Sequence, residues 1–138
     1  MPKPQNDWHE LVVNPLIAEQ LNYDRNSLRA DLDSRLPCLN DNQRNAFTQI
    51  VDSVTNGLGK LFFLHSPGGT GKTFVYNTIC AKLHSEGIIV LCVSSSEISA
   101  LLLQGGRTAH STFKIPVENL HEESFCSIPR NSQHADLL

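Results

Sequence analysis

SPGGTGKT, residues 66–73, follows directly on the apolar run Leu61, Phe62, Phe63, Leu64. An apolar run that ends in such a loop predicts a buried strand handing the chain to a helix through a phosphate-binding turn. The loop needs glycines because its backbone must turn its N–H groups inward, through conformations that a side chain blocks. Gly68, Gly69 and Gly71 meet that need, with Ser66, Pro67 and Thr70 completing the cradle. Lys72 is long enough to reach the β- and γ-phosphates of a triphosphate, and the Thr73 hydroxyl suits Mg2+, the ion that bridges those oxygens. The helix starting here adds its free N–H groups and the positive end of its dipole. The expected ligands are ATP and Mg2+. Ser66 stands where the pattern G-x-x-x-x-G-K-[ST] begins with glycine; if that position required a positive φ, serine would add strain of about 1 kcal/mol and loosen binding. The competing reading is a glycine-rich turn that binds nothing.

The pattern continues on both sides of the loop. Upstream, Lys60 to His65 is the expected strand, and before it Ala46, Phe47, Ile50, Val51 and Val54 mark one face of a helix that starts near Asn40 and stops at Asn56-Gly57. Downstream, Val75, Tyr76, Ile79, Cys80 and Leu83 form the stripe of a helix stopped by Gly87. Ile88 to Val93 is an unbroken apolar run, as in a parallel strand covered on both faces. Ser94, Ser95, Ser96 and Glu97 carry a helix-start signature before a short apolar helix, Ile98 to Leu103, ended by Gly105-Gly106. A further strand is expected near Phe125 to Ile128, and the last eight residues read as helical. The N-terminal part, to about Pro37, reads as an extended proline-containing lead and two short helices, one around Leu16, Ile17, Gln20 and Leu21, the other capped by Asn26 or Ser27. The fold class is therefore α/β, a parallel sheet with flanking helices, divided into a lead (1–38) and the loop-bearing unit (39–138).

Composition narrows the function. With 138 residues, 40% of them hydrophobic, one core is the limit. Strand-helix units take roughly 30 residues each, so four or five would exhaust this chain, and the two convincing strands and one weak one found suggest a fragment. Net charge is −3 with no basic stripe, so any nucleic-acid contact rests on a few placed groups. Cys38, Cys80, Cys92 and Cys126 form no C-x-x-C pair, which favours buried free thiols in a reducing compartment. The polar N-terminus and the lack of any long apolar run point to a soluble intracellular protein with no membrane partner.

Two more constellations bear on chemistry. Gln43, in Leu39-Asn40-Asp41-Asn42-Gln43, offers an amide that matches the N6/N7 edge of adenine; it is equally placed to complete a capping box with Asn40. Ser95 and Ser96, together with Arg107, Thr108 and His110, suit a phosphodiester backbone through hydroxyls, N–H groups and a ring on which a base can stack. Their alternative is ordinary helix capping and a packed histidine.

LNDNQ (39–43), SPGGTGKTF (66–74), LCVSSSEISALLLQGGRTAHSTFKIP (91–116) and SFCSIPRNSQHADLL (124–138) together resemble the ATP-dependent DNA helicases of the petite-integration-frequency family, in the version carried by Helitron transposons. The resemblance runs from about Asn14 onward. It implies a P-loop NTPase of RecA-like fold, here an incomplete first motor lobe, translocating 5′ to 3′ on single-stranded DNA and acting at duplex junctions. It also implies a nuclear or mitochondrial location, with work in repair, recombination, telomere maintenance or transposition. By the same resemblance Gln43 reads adenine, Gly68, Gly69, Gly71, Lys72 and Thr73 hold triphosphate and magnesium, and Ser95, Ser96, Ile98, Thr108 and His110 fall in DNA-touching segments. Ser66, Glu97, Gln104 and Ser99 depart from the glycine, glycine, proline and alanine that the family leads one to expect, and Glu97 would repel a DNA phosphate. No apolar strand ending in Asp-Glu occurs in the chain, so the acids that position magnesium and attacking water, and the second (C-terminal) helicase lobe, are expected outside it. The alternatives are a small-molecule kinase built on the same loop and a non-enzymatic, decayed transposon remnant.

Overall fold

The computed structural model describes residues 14–138; the start of the expected lead, residues 1–13, lies outside them. Among the described residues the chain forms α1 (Pro15–Leu21), α2 (Arg25–Arg35) with a 3-10 turn at Leu36–Cys38, α3 (Asp41–Thr55), α4 (Lys72–Ser85), β1 (Val93–Ser94), α5 (Glu97–Ala100), β2 (Arg107–Thr108), α6 (Ala109–Phe113) and α7 (Gln133–Leu137).

Local chemistry explains where the helices begin. Pro15, at the first position of α1, has no N–H to leave unsatisfied, and the Asn14 side chain accepts from Leu16 N at 3.0 Å. α2 starts one residue before the expected caps. The Asp24 carboxylate accepts from Asn26 N at 3.1 Å and from the Ser27 hydroxyl at 2.7 Å, so Ser27 serves the cap rather than being it. Those bonds, the Ser27 hydroxyl first, hold the Asp24 carboxyl below its ordinary pKa. α3 opens on a full capping box between Asn40 and Gln43.

α4 lies against both α2 and α3. Leu32, Leu39, Phe47, Val51, Val75, Ile79 and Leu83 make the core, with Leu64, Phe74, Ile88 and Val90 half-buried around it. Each such large side chain, once buried, stabilises the fold by about 1.5–3 kcal/mol. α4 is covered beyond its expected stripe, since Thr78, Ala81, His84 and Ser85 are buried too, whereas Tyr76 is exposed. The Arg35 guanidinium sits over the Phe74 ring, 5.6 Å from its centroid.

The sheet is smaller than the sequence predicts. β1 and β2 pair in parallel, Val93 with Arg107 and Ser94 with Thr108. The apolar run 60–65 forms no ladder among the described residues, and Leu61 is 100% and Phe63 90% exposed. Of the run 88–93 only Val93 is strand, and no strand forms at 125–128, where Ser127 N donates to the Lys114 carbonyl. Hydrophobicity marks a segment for burial, but a strand also needs a neighbouring backbone to take its N–H and C=O groups. The result is a mixed α/β unit with a small parallel sheet.

Two further expectations change. Cys38 and Cys126 are exposed rather than buried, while Cys80 is buried and Cys92 half-buried. α5 is shorter than expected and begins at Glu97, with Ser96 as its N-cap. Among the described residues no helix is long and apolar enough to cross a membrane.

Candidate functional site

Between Leu64 and α4 the chain turns through residues 66–71. Gly69 has φ +75 and Gly71 φ +84, the left-handed region that favours glycine. Gly71 has a second reason to lack a side chain, because an added Cβ would stand 2.5 Å from Gln43 Nε2. Ser66, by contrast, is not among the residues with positive φ, so its departure from glycine carries no backbone strain. Its hydroxyl lies 2.7 Å from Thr70 Oγ1, and Thr70 in turn donates to the Pro67 carbonyl at 2.7 Å.

Lys72, the first residue of α4, folds back over this turn. Its ammonium donates to the Ser66 carbonyl at 2.6 Å and to the Pro67 carbonyl at 3.0 Å. A flexible cation is thus held on the mouth of the loop by two neutral acceptors, contacts that a phosphate oxygen, bearing full charge, would outcompete. Thr73 follows, exposed at the start of the helix.

Gln43 ties the preceding helix to the loop. Its Oε1 accepts from Asn40 N at 3.0 Å, while its own N–H donates to Asn40 Oδ1 at 2.9 Å. Its Nε2 donates to the Thr70 carbonyl at 3.1 Å. Here the capping box is formed, and the amide at the same time spans 27 residues of sequence to brace the loop. The Nε2 group carries a second hydrogen for another acceptor.

A cleft of about 430 Å³ opens beside these groups, lined by Gln43, Leu64, His65, Ser66, Thr70 and Lys72 among others. An added Cβ at Gly68 or Gly69 would meet nothing within 4 Å, so the loop surface is open to a ligand. Glycine backbone, a cation and an open face fit an anionic phosphate chain. For a metal, no group of three or more His, Cys, Asp or Glu gathers among the described residues. Thr73 would be one protein ligand, with phosphate oxygens and water filling the shell, the usual arrangement for Mg2+. The lining residue His65 escaped the sequence reading; its position directly before the loop was the available signal.

The second cluster assembles where β1 and β2 end side by side. Because the two strands run parallel in register, Ser95 and Ser96 leave one strand, and Ala109 and His110 the other, at the same edge. Ser95, Thr108 and His110 line an open cleft of about 610 Å³. Ser96 and Thr108 are committed as N-caps, accepting from Ser99 N and Ser111 N, each at 3.2 Å. Ile98 is 80% exposed. Glu97 lines the same cleft, as does Lys114, a cation not singled out from sequence because it stands alone. Asn77 of α4 ties the two regions together: its amide donates to the Leu102 carbonyl and accepts from Gln104 N, both at 2.9 Å.

A family model described as PIF1-like helicase matches residues 38–138. This chain belongs to the PIF1-like helicase family. Among characterised relatives, the ATP-dependent DNA helicase PIF4 of Trypanosoma brucei brucei (strain 927/4 GUTat10.1) is 32% identical over 82 residues, 59% of this chain. The chain spans 9% of the length of that protein. The small-molecule kinase is left without support.

Proposed function

We propose that the chain binds ATP with Mg2+ through Ser66, Pro67, Gly68, Gly69, Thr70, Gly71, Lys72 and Thr73, as the nucleotide-binding part of the first, RecA-like motor lobe of a 5′ to 3′ DNA helicase. The observation that carries this reading is the Lys72 ammonium held by the Ser66 and Pro67 carbonyls over an open glycine turn. On binding, Lys72 exchanges those carbonyls for β- and γ-phosphate oxygens, and the Thr73 hydroxyl takes a place in the magnesium shell. Thr73 and the phosphate chain would hold the magnesium, whose charge would offset the negative charge that develops on the phosphates. Gln43 reads the adenine edge with the amide hydrogen that its loop contact leaves over, or by giving up its cap.

Residues 39–138 are the motor portion and residues 1–38 a lead. The exposed segment Leu61 to Phe63 is where further strands of such a lobe would pair. Single-stranded DNA passes the cleft of Ser95, Thr108 and His110, meeting Ser96 and Ile98 beside it, with Lys114 attracting and Glu97 repelling its phosphates. Helitron-type transposition, repair, recombination or telomere maintenance, in nucleus or mitochondrion, are settings for such a motor.

Hydrolysis needs acids to hold magnesium and orient water, and an arginine that alone contributes about 10³–10⁵ in rate. No apolar strand ending in Asp-Glu stands in these 138 residues. A phosphate-release assay tests the proposal. The 138-residue chain should stay at background with or without single-stranded DNA. A protein continuing it through an Asp-Glu strand and a second lobe should show DNA-stimulated turnover that Lys72→Ala abolishes. Turnover in the longer protein that survives Lys72→Ala would overturn the assignment.

A further inference from the structure

Cys80 and Cys92 are twelve positions apart in sequence, yet their Sγ atoms lie 2.9 Å from each other, bringing the middle of α4 against the segment that enters β1. Both line an apolar hollow of about 400 Å³ with Tyr76, Ile79, Val90 and Leu103. The hollow gives a small neutral oxidant a path to the pair. Neither thiol has a part in the nucleotide or DNA chemistry above.

We propose that Cys80 and Cys92 are a redox-active pair that closes to a reversible disulfide on exposure to a peroxide. In the first step the Cys92 sulfur attacks one peroxide oxygen. The S–O bond forms, the O–O bond breaks, and the departing hydroxide takes the proton given up by the Cys92 thiol and leaves as water, so that Cys92 becomes a sulfenic acid. In the second, the Cys80 sulfur attacks the Cys92 sulfur, the S–S bond forms, and the sulfenic oxygen leaves as a second water with the Cys80 proton. Two thiols lose two electrons and the peroxide gains them. A small dithiol reverses the change.

The order of the steps follows from the surroundings. Either sulfur can donate across the contact; with the more buried Cys80 keeping its proton, the bond favours the anion at Cys92 and pushes that thiol below its ordinary pKa. Cys80 is pushed up by the same bond and by burial. The half-buried Cys92 is therefore the attacking sulfur and the buried Cys80 the resolving one. Once joined, they staple the helix that starts with Lys72 to the segment leading into Ser94. The same segment is held from its other side, where Arg107 N donates to the Cys92 carbonyl at 3.0 Å.

The test uses this chain with Cys38→Ser and Cys126→Ser, both exposed positions that tolerate a hydroxyl. After titration with hydrogen peroxide, free thiols are blocked with a maleimide and the protein is digested without reductant. A linked Cys80–Cys92 peptide should appear, the intact chain should be lighter by about 2 Da, and maleimide uptake should fall to none and return with dithiothreitol. The oxidised form should also melt at a higher temperature. Adding Cys80→Ser should strand Cys92 as a sulfenic acid that dimedone captures. Should that variant not fold, the peptide map of the Cys38/Cys126 variant decides alone. Maleimide uptake by both thiols across the whole titration, or separate over-oxidation of each without a linked peptide, would overturn the proposal.

Discussion

Gly71→Ala separates the reasons for which the loop needs glycine. At φ +84 an alanine pays the left-handed penalty of about 1–2 kcal/mol. Its Cβ would also meet Gln43 Nε2 at 2.5 Å. A free glutamine tip would swing aside at little cost, but this one is pinned at both ends, by Asn40 N at 3.0 Å and by the Thr70 carbonyl at 3.1 Å. Moving it gives up one of those bonds, about 1 kcal/mol net. The sum is about 2–3 kcal/mol, which for a domain of this size lowers the melting temperature by roughly 10 °C. Urea unfolding of four proteins measures it: wild type, Gly71→Ala, Gln43→Ala and the double variant. In the Gln43→Ala background the clash has no partner, so Gly71→Ala should cost only its backbone share, about 1–2 kcal/mol. Gly68→Ala, with ordinary φ and nothing within 4 Å, should leave stability within about 0.5 kcal/mol. A Gly71→Ala penalty as small as that of Gly68→Ala, or one unchanged by removing Gln43, would refute the reasoning.

Gln43→Ala should weaken ATP more than GTP in a fluorescent-nucleotide titration, on top of a cap loss of about 1 kcal/mol; equal loss for both nucleotides would reduce Gln43 to a cap and brace. His84 is 3% exposed, its Nδ1 has no hydrogen-bond partner among the described residues and its ring stacks on Tyr23 at 4.3 Å. Burial pushes its pKa below the ordinary 6.5, opposed in part by the Val90 carbonyl. As pH falls below 6.5 the unfolded chain takes up a proton that folded His84 refuses. Stability present above that pH is therefore lost progressively, until folded His84 itself protonates. Stability from urea unfolding across this window should fall more steeply in wild type than in His84→Phe, and equal slopes would remove His84 as the cause. Glu97→Gln should tighten binding of single-stranded oligonucleotide in low salt, measured by anisotropy, because it removes the acid from the cleft shared with Lys114; unchanged affinity would place the strand elsewhere.

What the sequence made legible was local. The capping box of α3, the glycine turn, the start of α4 and the stops at Gly57 and Gly87 all follow from neighbours a few residues apart. The strands were not legible because pairing is a long-range property: 60–65 and 88–93 have a strand's composition, yet only Val93–Ser94 finds a partner, at Arg107–Thr108. Gln43 shows the same limit. From sequence its amide reads as an adenine reader or a cap, but a glutamine has an oxygen for the cap and a nitrogen to spare, and only the fold reveals that the Thr70 carbonyl is in reach of that nitrogen. The condition for strain at Ser66, a positive φ, is not met, which a motif cannot disclose. Nor does the spacing of Cys80 and Cys92, one on a helix and one on an extended segment, show that they touch.

Titration of magnesium-ATP into the 138-residue chain and into its Lys72→Ala variant, by calorimetry with circular dichroism confirming that both are folded, addresses the central claim directly. Saturable binding to the wild type, lost in the folded variant because the ammonium that Ser66 and Pro67 hold over the turn is gone, is the predicted result. Equal affinity in the two proteins would contradict it and remove the loop from the nucleotide site.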